Sequence, residues 1–229
     1  MNFAPHDFWQ EIFTAEALPG DEAKGYLGHY SAALPDDRRI ALPLRVLPGD
    51  GTKGVASLIV NQASFPVLDA LADALASKLA QHQPDIIVAL PTLGLTLGDA
   101  VARRLGHSRM VPLGTSKKFW YEEELSVPMS SITSPDQVKR LYVDPRMLPL
   151  LQGRRVALVD DVASSGRSLK AALKVLSLAG VTPVACGFAM AQGKLWREAV
   201  PQGMAMESAI ATPRLTLCED GRWRSDPEA

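Results

Sequence analysis

The chain has 229 residues, 47% of them hydrophobic and 21% charged, with a formal net charge of -1 at pH 7. That composition is globular, and the near-neutral balance excludes a general basic footprint for nucleic acid or an anionic membrane surface, so any anion must be held locally. The opening "MNFAPHDFWQEIFTAEALPGDEAKG" lacks a basic n-region with an apolar core, and no apolar run is long enough to span a bilayer, so a cytoplasmic protein is expected.

Cys186 and Cys218 are too few for a disulfide framework and are not spaced as a metal site; they read as buried thiols. Proline and glycine punctuate apolar segments rather than pooling in a linker, and no repeat is present, which predicts one domain over 1–229.

Early in the chain, "RRIALPLRVLPG" reads as a peripheral strand. From Ser64, "SFPVLDALADALASKLA" has an N-cap candidate, Pro66 in the first turn, and Leu68, Leu71, Leu75 and Leu79 at helical spacing. "DIIVAL" is a short apolar, β-branched run that suits a strand covered on both faces. "PTLGLTLGDAVARRLG" turns through Gly94 into a helix with Leu97, Val101 and Leu105 on one stripe and Gly106 as its C-terminal cap. "RMVPL" follows as a strand.

Residues 114 to 138, "GTSKKFWYEEELSVPMSSITSPDQV", mix polar, charged and aromatic residues without either period, the pattern of a lid, a binding loop or disorder. "KRLYV" then reads as the return of a β-ribbon. "RRVALV" is a second buried strand, "SLKAALKVLSLAG" a helix ending at Gly180, and "VTPVACGFAMA" a third strand. "SAIATPRLTLCEDGRWRSD" closes the chain as further peripheral strands. The alternation predicts an α/β fold with an open, mainly parallel sheet flanked by helices, and ligands beyond the carboxyl ends of the strands.

At one such end stands "VALVDDVASSGRS", residues 156 to 168. Consecutive strand residues face opposite ways, so Asp160 and Asp161 cannot both enter a core, and an unpaired buried carboxylate would cost several kcal/mol. At least one must face the crevice. There the pair can accept hydrogen bonds from vicinal hydroxyls or hold a divalent cation through water; the bland alternative is a solvated turn that caps a helix. Ala163 to Ser168 supplies small residues whose amides can converge: Ser164, Ser165 and Ser168 add hydroxyls, Gly166 admits a positive φ, and the loop opens a helix whose N-terminus favours an anion. At about 1.5–3 kcal/mol for each charge-assisted bond, four or five such donors hold a phosphate without a lysine. Sugar hydroxyls beside acids with phosphate on the next loop describe a ribose 5-phosphate site.

This stretch closely resembles the signature of type I phosphoribosyltransferases, and the similarity extends more weakly over about residues 60 to 190. The resemblance implies that Asp160 and Asp161 hold the ribose hydroxyls of 5-phosphoribosyl 1-pyrophosphate and that Ala163, Ser164, Ser165, Gly166, Arg167 and Ser168 cradle its 5-phosphate, Arg167 standing where the family usually has glycine. "VALPTLGLTLG" resembles the family's pyrophosphate loop, which implies Thr92, Leu93 and Gly94 on that group, with Leu93 where a basic residue often stands. "VPLGTSKKFWYEEELSVP" resembles the mobile loop of the purine enzymes for adenine and xanthine; it implies catalytic Lys117 and Lys118 flanking the pyrophosphate and Tyr121 on the loop, although a plain solvated loop explains the lysines equally. Trp120 and Trp196 suit packing as well as ligand contact, and no histidine falls in a motif.

The resemblance further implies Mg2+ held mainly by the substrate, with no direct protein ligand beyond a water-mediated contact to Asp160 or Asp161. It implies a nucleobase acceptor, a homodimer, and a small hood from about 1–59 and 191–229 that selects the base. A non-catalytic regulator of the same fold that binds phosphoribosyl pyrophosphate is the main alternative; Leu93 favours it, and the neutral charge and lack of a helix-turn-helix segment count against it. A phosphoryl or receiver-like acid-pair site is a third reading, weakened because "DIIVALPTLG" offers no acceptor carboxylate.

Overall fold

A computed structural model describes residues 2–20, 22–131 and 134–226. The expected domain over 1–229 and the expected irregular segment over 114–138 each include residues outside the described ones.

The elements in chain order are β1 (Ile12–Phe13), β2 (His29–Ala33), β3 (Arg39–Val46), β4 (Lys53–Ala56), α1 (Phe65–Ala80), β5 (Ile86–Ala89), α2 (Gly94–Arg104) and β6 (Val111–Pro112). They continue with β7 (Ser126–Ser131), β8 (Ser134–Tyr142), α3 (Leu148–Leu151), β9 (Val156–Ala163), α4 (Arg167–Leu178), β10 (Ala185–Gln192), β11 (Ala205–Thr212), β12 (Arg214–Leu217) and β13 (Trp223–Ser225).

The central sheet has the order β11-β10-β9-β5-β6, and every pairing in it is parallel. Parallel neighbours need crossovers, and the helical spacings of the sequence supply them. Helix α1 begins where the Ser64 side chain accepts from the Val67 amide, with proline in the first turn, and it buries Leu68, Leu71, Leu75 and Leu79. Each such leucine contributes roughly 1.5–3 kcal/mol by leaving water. Gly106 (φ 75°) follows α2 and Gly180 (φ 72°) follows α4, both in the left-handed conformation that ends a helix.

A second sheet of antiparallel strands has the order β1-β3-β4-β12-β13, with β2 also on β3. It is woven from both ends of the chain. One core lies between this sheet, α1, α2 and one face of the parallel sheet, and takes Ala157 and Val159 of β9. The other lies between α4, the hairpin β7–β8 and the opposite face, and takes Val156 and Leu158. From Val156 to Val159 alternate residues therefore enter different cores, which is why this part of the strand is apolar without interruption.

Two expectations need correction. The segment from 114 is not irregular throughout: β7 and β8 form an antiparallel hairpin, and Leu125, Val127, Leu141 and Val143 pack with Leu169 and Ala172 of α4. The start of the last segment, residues 208–212, is not peripheral: it belongs to β11, which pairs in parallel with β10 and closes one edge of the central sheet. Its outer side is only half covered, so its sequence carries Glu207 and Ser208 among the apolar residues and does not read as a buried strand.

Candidate functional site

The end of β9 carries the two acids. Asp160 follows Leu158, a member of the α4 core, and its registered neighbour on β10 is Phe188. Asp160 is 8% exposed and lines a cavity of about 200 Å³ with Val162, Phe188, Leu169 and the whole run Ala163 to Ser168. Of the expected acid pair, Asp160 thus stands in the concavity, and Asp161, next along the strand, is half-buried.

Burial raises the Asp160 carboxyl well above the ordinary carboxylate range, and the charge of Asp161 raises it further; the Asp161 amide, 2.9 Å from Asp160 Oδ1, offsets part of this. Burial also raises Asp161. Both side chains therefore favour a hydrogen-bond donor or a cation close by.

The loop after β9 keeps the shape that its small residues predict. Gly166 has φ 76° at the cap of α4, and a side chain there would sit 2.7 Å from Ala199 Cβ and 3.0 Å from Trp196 Cα. Trp196 is itself fixed by Nε1 donating to the Gly193 carbonyl at 3.0 Å, which places it behind the loop as packing. Among the described residues, the amides of Ser164, Ser165, Gly166 and Ser168 donate to no backbone carbonyl. They remain available at the positive end of α4. Ser165, Arg167 and Ser168 are exposed, and Ala163 is buried. Ser164 differs from expectation: its hydroxyl donates to Gln192 Oε1 at 2.9 Å, so its hydrogen is turned away from the cavity.

The segment Thr92 to Gly94 crosses above β9. The Pro91–Thr92 peptide is cis, Thr92 is exposed, Leu93 is half-buried, and a methyl on Gly94 would lie 2.7 Å from Asp160 Oδ1 and 2.8 Å from Asp160 Cα. Only glycine lets α2 begin so close to the acid.

The segment before the hairpin is less closely joined to the cavity. Lys117 Nζ lies 2.7 Å from Glu123 Oε2, and Glu123 Oε1 lies 3.0 Å from Arg140 Nε; Lys118 is exposed. Tyr121 packs on Tyr142 with ring centroids 5.5 Å apart. Trp120 lies under the Arg146 guanidinium at 4.2 Å and donates to Asp144 at 3.3 Å. The cavity thus unites Asp160 with the loop 163–168 and lies beside Gly94, while neither Lys117, Lys118 nor Tyr121 lines it.

Sequence reasoning missed Phe188, the wall beside Asp160, and Gln192, the buried partner of Ser164. A signal for Gln192 existed: a polar residue directly after "ACGFAMA" occupies the same kind of place as the acids after "VALV".

Among the described residues, no helix is long and apolar enough to cross a membrane. Residues 59–201 match the phosphoribosyl transferase domain family. A curated xanthine phosphoribosyltransferase of Chloroflexus aurantiacus is 28% identical over 184 residues, covering 78% of this chain and 80% of that protein. The solved adenine phosphoribosyltransferase of Thermoanaerobacter pseudethanolicus is similar with a TM-score of 0.60 at 22% identity, covering 75% of this chain and 95% of its own. The Giardia lamblia adenine enzyme, solved with 9-deazaadenine, gives a TM-score of 0.58 at 21% identity, covering 74% of this chain and 93% of its own. These structures share the α/β fold with its parallel sheet. The matched stretch spans more than half of the sequence and contains the strand, both acids and the small loop: the chain belongs to the phosphoribosyl transferase domain family.

Proposed function

We propose that the protein transfers ribose 5-phosphate from 5-phosphoribosyl 1-pyrophosphate to a ring nitrogen of a nucleobase of purine type, releasing pyrophosphate. One observation carries this reading: a single cavity sets a buried carboxylate, Asp160, against a loop whose amides are unclaimed by other backbone groups. In this reading Asp160 and Asp161 accept hydrogen bonds from the ribose hydroxyls, the loop Ala163 to Ser168 holds the 5-phosphate through the amides of Ser164, Ser165, Gly166 and Ser168, and Thr92 to Gly94 face the pyrophosphate. The relatives named above act, by name, on xanthine and adenine, which supports a purine acceptor.

Displacement at the ribose C1 passes through a cation-like sugar, so the protein's task is to fix the sugar, stabilise the departing pyrophosphate and align the base. The loop and the two acids fix the sugar from both ends. Lys117 and Lys118 approach the pyrophosphate once Lys117 leaves Glu123, and closure of the 114–125 segment excludes water that would otherwise hydrolyse the sugar.

Mg2+ fits this donor set in one manner. Among the described residues no group of three or more His, Cys, Asp or Glu forms a metal cage, but two carboxylates raised by burial suit a cation carried mainly by the substrate's phosphates. Its chemistry, when bound, is neutralisation of charge on the departing pyrophosphate. The reading also carries a homodimer, which light scattering checks directly.

A second reading has specific support. Leu93 brings no charge to the head of α2, and Lys117 is paired with Glu123; both favour a regulator that binds phosphoribosyl pyrophosphate without turnover. The deciding experiment mixes purified protein with phosphoribosyl pyrophosphate, Mg2+ and a panel of bases. Pyrophosphate release with a purine supports the enzyme, and binding with no release from any base overturns it in favour of the regulator.

A further inference from the structure

The carboxyl ends of β10 and β11 carry two buried polar side chains that the proposed reaction leaves unused. Gln192, 6% exposed, ends β10, and Thr212, 4% exposed, ends β11. Parallel pairing sets the two residues opposite each other, so both side chains leave the sheet on the same face.

The orientation of the Gln192 amide follows from its partners. The Ala56 carbonyl can only accept, so the group 2.6 Å from it is Nε2–H. Oε1 is then the atom 2.9 Å from Ser164 Oγ, and the serine hydroxyl must donate to it. Ala56 ends β4 of the second sheet, and Ser164 belongs to the loop proposed to hold phosphate. One buried side chain joins the two.

Thr212 is the unsatisfied member of this group. Its Oγ1 is buried without a hydrogen-bond partner among the described residues, a state that costs free energy and calls for a partner. It also stands where the chain leaves the parallel sheet, since β12 of the second sheet begins two residues later.

An anion on the loop attracts the Ser164 hydroxyl hydrogen more strongly than a neutral amide oxygen does, because a charge-assisted bond is the stronger one. Turning to the anion strips Gln192 Oε1 of its donor, and the unpartnered hydroxyl on the adjacent strand position is the donor in reserve. We propose that Ser164, Gln192 and Thr212 form a hydrogen-bond exchange that reports occupancy of the loop to the junction of the two sheets. With the loop empty, Ser164 donates to Gln192; with the loop filled, Ser164 donates to the sugar phosphate and Thr212 replaces it on Gln192. Thr212 and Gln192 are thus positioning residues. This inference rests on the reading that the loop holds the 5-phosphate of phosphoribosyl pyrophosphate.

Thr212→Val tests it, because the variant keeps the branched shape and deletes only the hydroxyl. Calorimetric titration with phosphoribosyl pyrophosphate and Mg2+ should show binding weakened about three- to tenfold, the size of one net hydrogen bond. The melting temperature of the ligand-free variant should be equal to or above that of the wild type, since the lost group had no partner. Thr212→Ser should restore affinity. In a Ser164→Ala background, where no hydrogen is exchanged, Thr212→Val should no longer change binding, a coupling that a double-mutant cycle reads directly. Affinity unchanged in Thr212→Val, with or without a lower melting temperature, overturns the exchange while leaving the site intact. Failure of the wild type to bind phosphoribosyl pyrophosphate overturns the site and the exchange together.

Discussion

Alanine at Gly166 should destabilise the protein by about 3 kcal/mol and remove the loop's affinity for a sugar phosphate. Two separate costs add. The position has φ 76°, and an L-residue held in the left-handed region loses roughly 1–2 kcal/mol. The new methyl would also lie 2.7 Å from Ala199 Cβ, 3.0 Å from Trp196 Cα and 3.2 Å from the Trp196 carbonyl. Two of these are backbone atoms and cannot rotate away, so overpacking adds about 1–3 kcal/mol. For a chain of this size about 3 kcal/mol lowers the melting temperature by roughly 6–12 °C. Gly153 is the internal control: its φ is 71° and no atom lies within 4 Å of the added carbon, so Gly153→Ala carries only the backbone cost of roughly 1–2 kcal/mol. Thermal unfolding of both variants by circular dichroism, with calorimetric titration of phosphoribosyl pyrophosphate, separates the two costs. Equal melting temperatures would refute the packing argument. Wild-type affinity in Gly166→Ala would refute the assignment of the loop as the phosphate cradle.

Asp160 should make the protein less stable as pH rises. Its carboxyl in the folded chain lies above the ordinary 3.8, so the stability linked to its proton is fully present below that value and is lost as pH rises through the raised one. Asp160→Asn should therefore melt higher than the wild type at neutral pH, flatten the pH profile of the melting temperature and weaken phosphoribosyl pyrophosphate binding; a lower melt at neutral pH would contradict the burial argument. Gly94→Ala, which drives a methyl to 2.7 Å from Asp160 Oδ1, should cost about 1–3 kcal/mol and reduce pyrophosphate release in the base-panel assay. Lys117→Ala should lower turnover more than substrate affinity, with little change in melting temperature, because exposed ion pairs such as Lys117–Glu123 contribute about 0–1 kcal/mol. A fall in affinity alone would take the lysine out of the transition state. Cys186, buried with its thiol pushed up to about 12, should resist alkylation in the native protein while the half-buried Cys218 reacts; mass spectrometry of the labelled peptides distinguishes them.

The parts of the molecule that were legible in the sequence are those where one physical requirement dominates. The strand β9 is buried on both faces, so its composition is apolar up to the point where the chain meets the crevice and two acids appear. Helix α1 shows its cap, its proline and its leucine stripe because each meets a local demand. The return strand of the hairpin was legible at "KRLYV", the end of β8, but its first strand was hidden because β7 carries Pro128 and serines in place of an apolar alternation, and its support comes from α4, distant in sequence. The edge strand β11 was hidden because an edge is half solvated, and its burial never becomes continuous. Strand parity implied that the two acids face opposite ways; that Asp160 is the one in the cavity follows from how α4 and Phe188 pack. The commitment of the Ser164 hydroxyl needed the fold, because Gln192 and Ala56 come from distant parts of the chain.

The second sheet sets the order in which the protein can be made. Strand β12 pairs with β4, and Lys53 is tied to Asp226 at 2.8 Å, contacts separated by more than two-thirds of the polypeptide. During synthesis β4 emerges early and waits, its edge open, while the ribosome delivers the entire parallel sheet. Closure by β12 and β13 is among the last events of folding, a long-range step of the kind that is intrinsically slow.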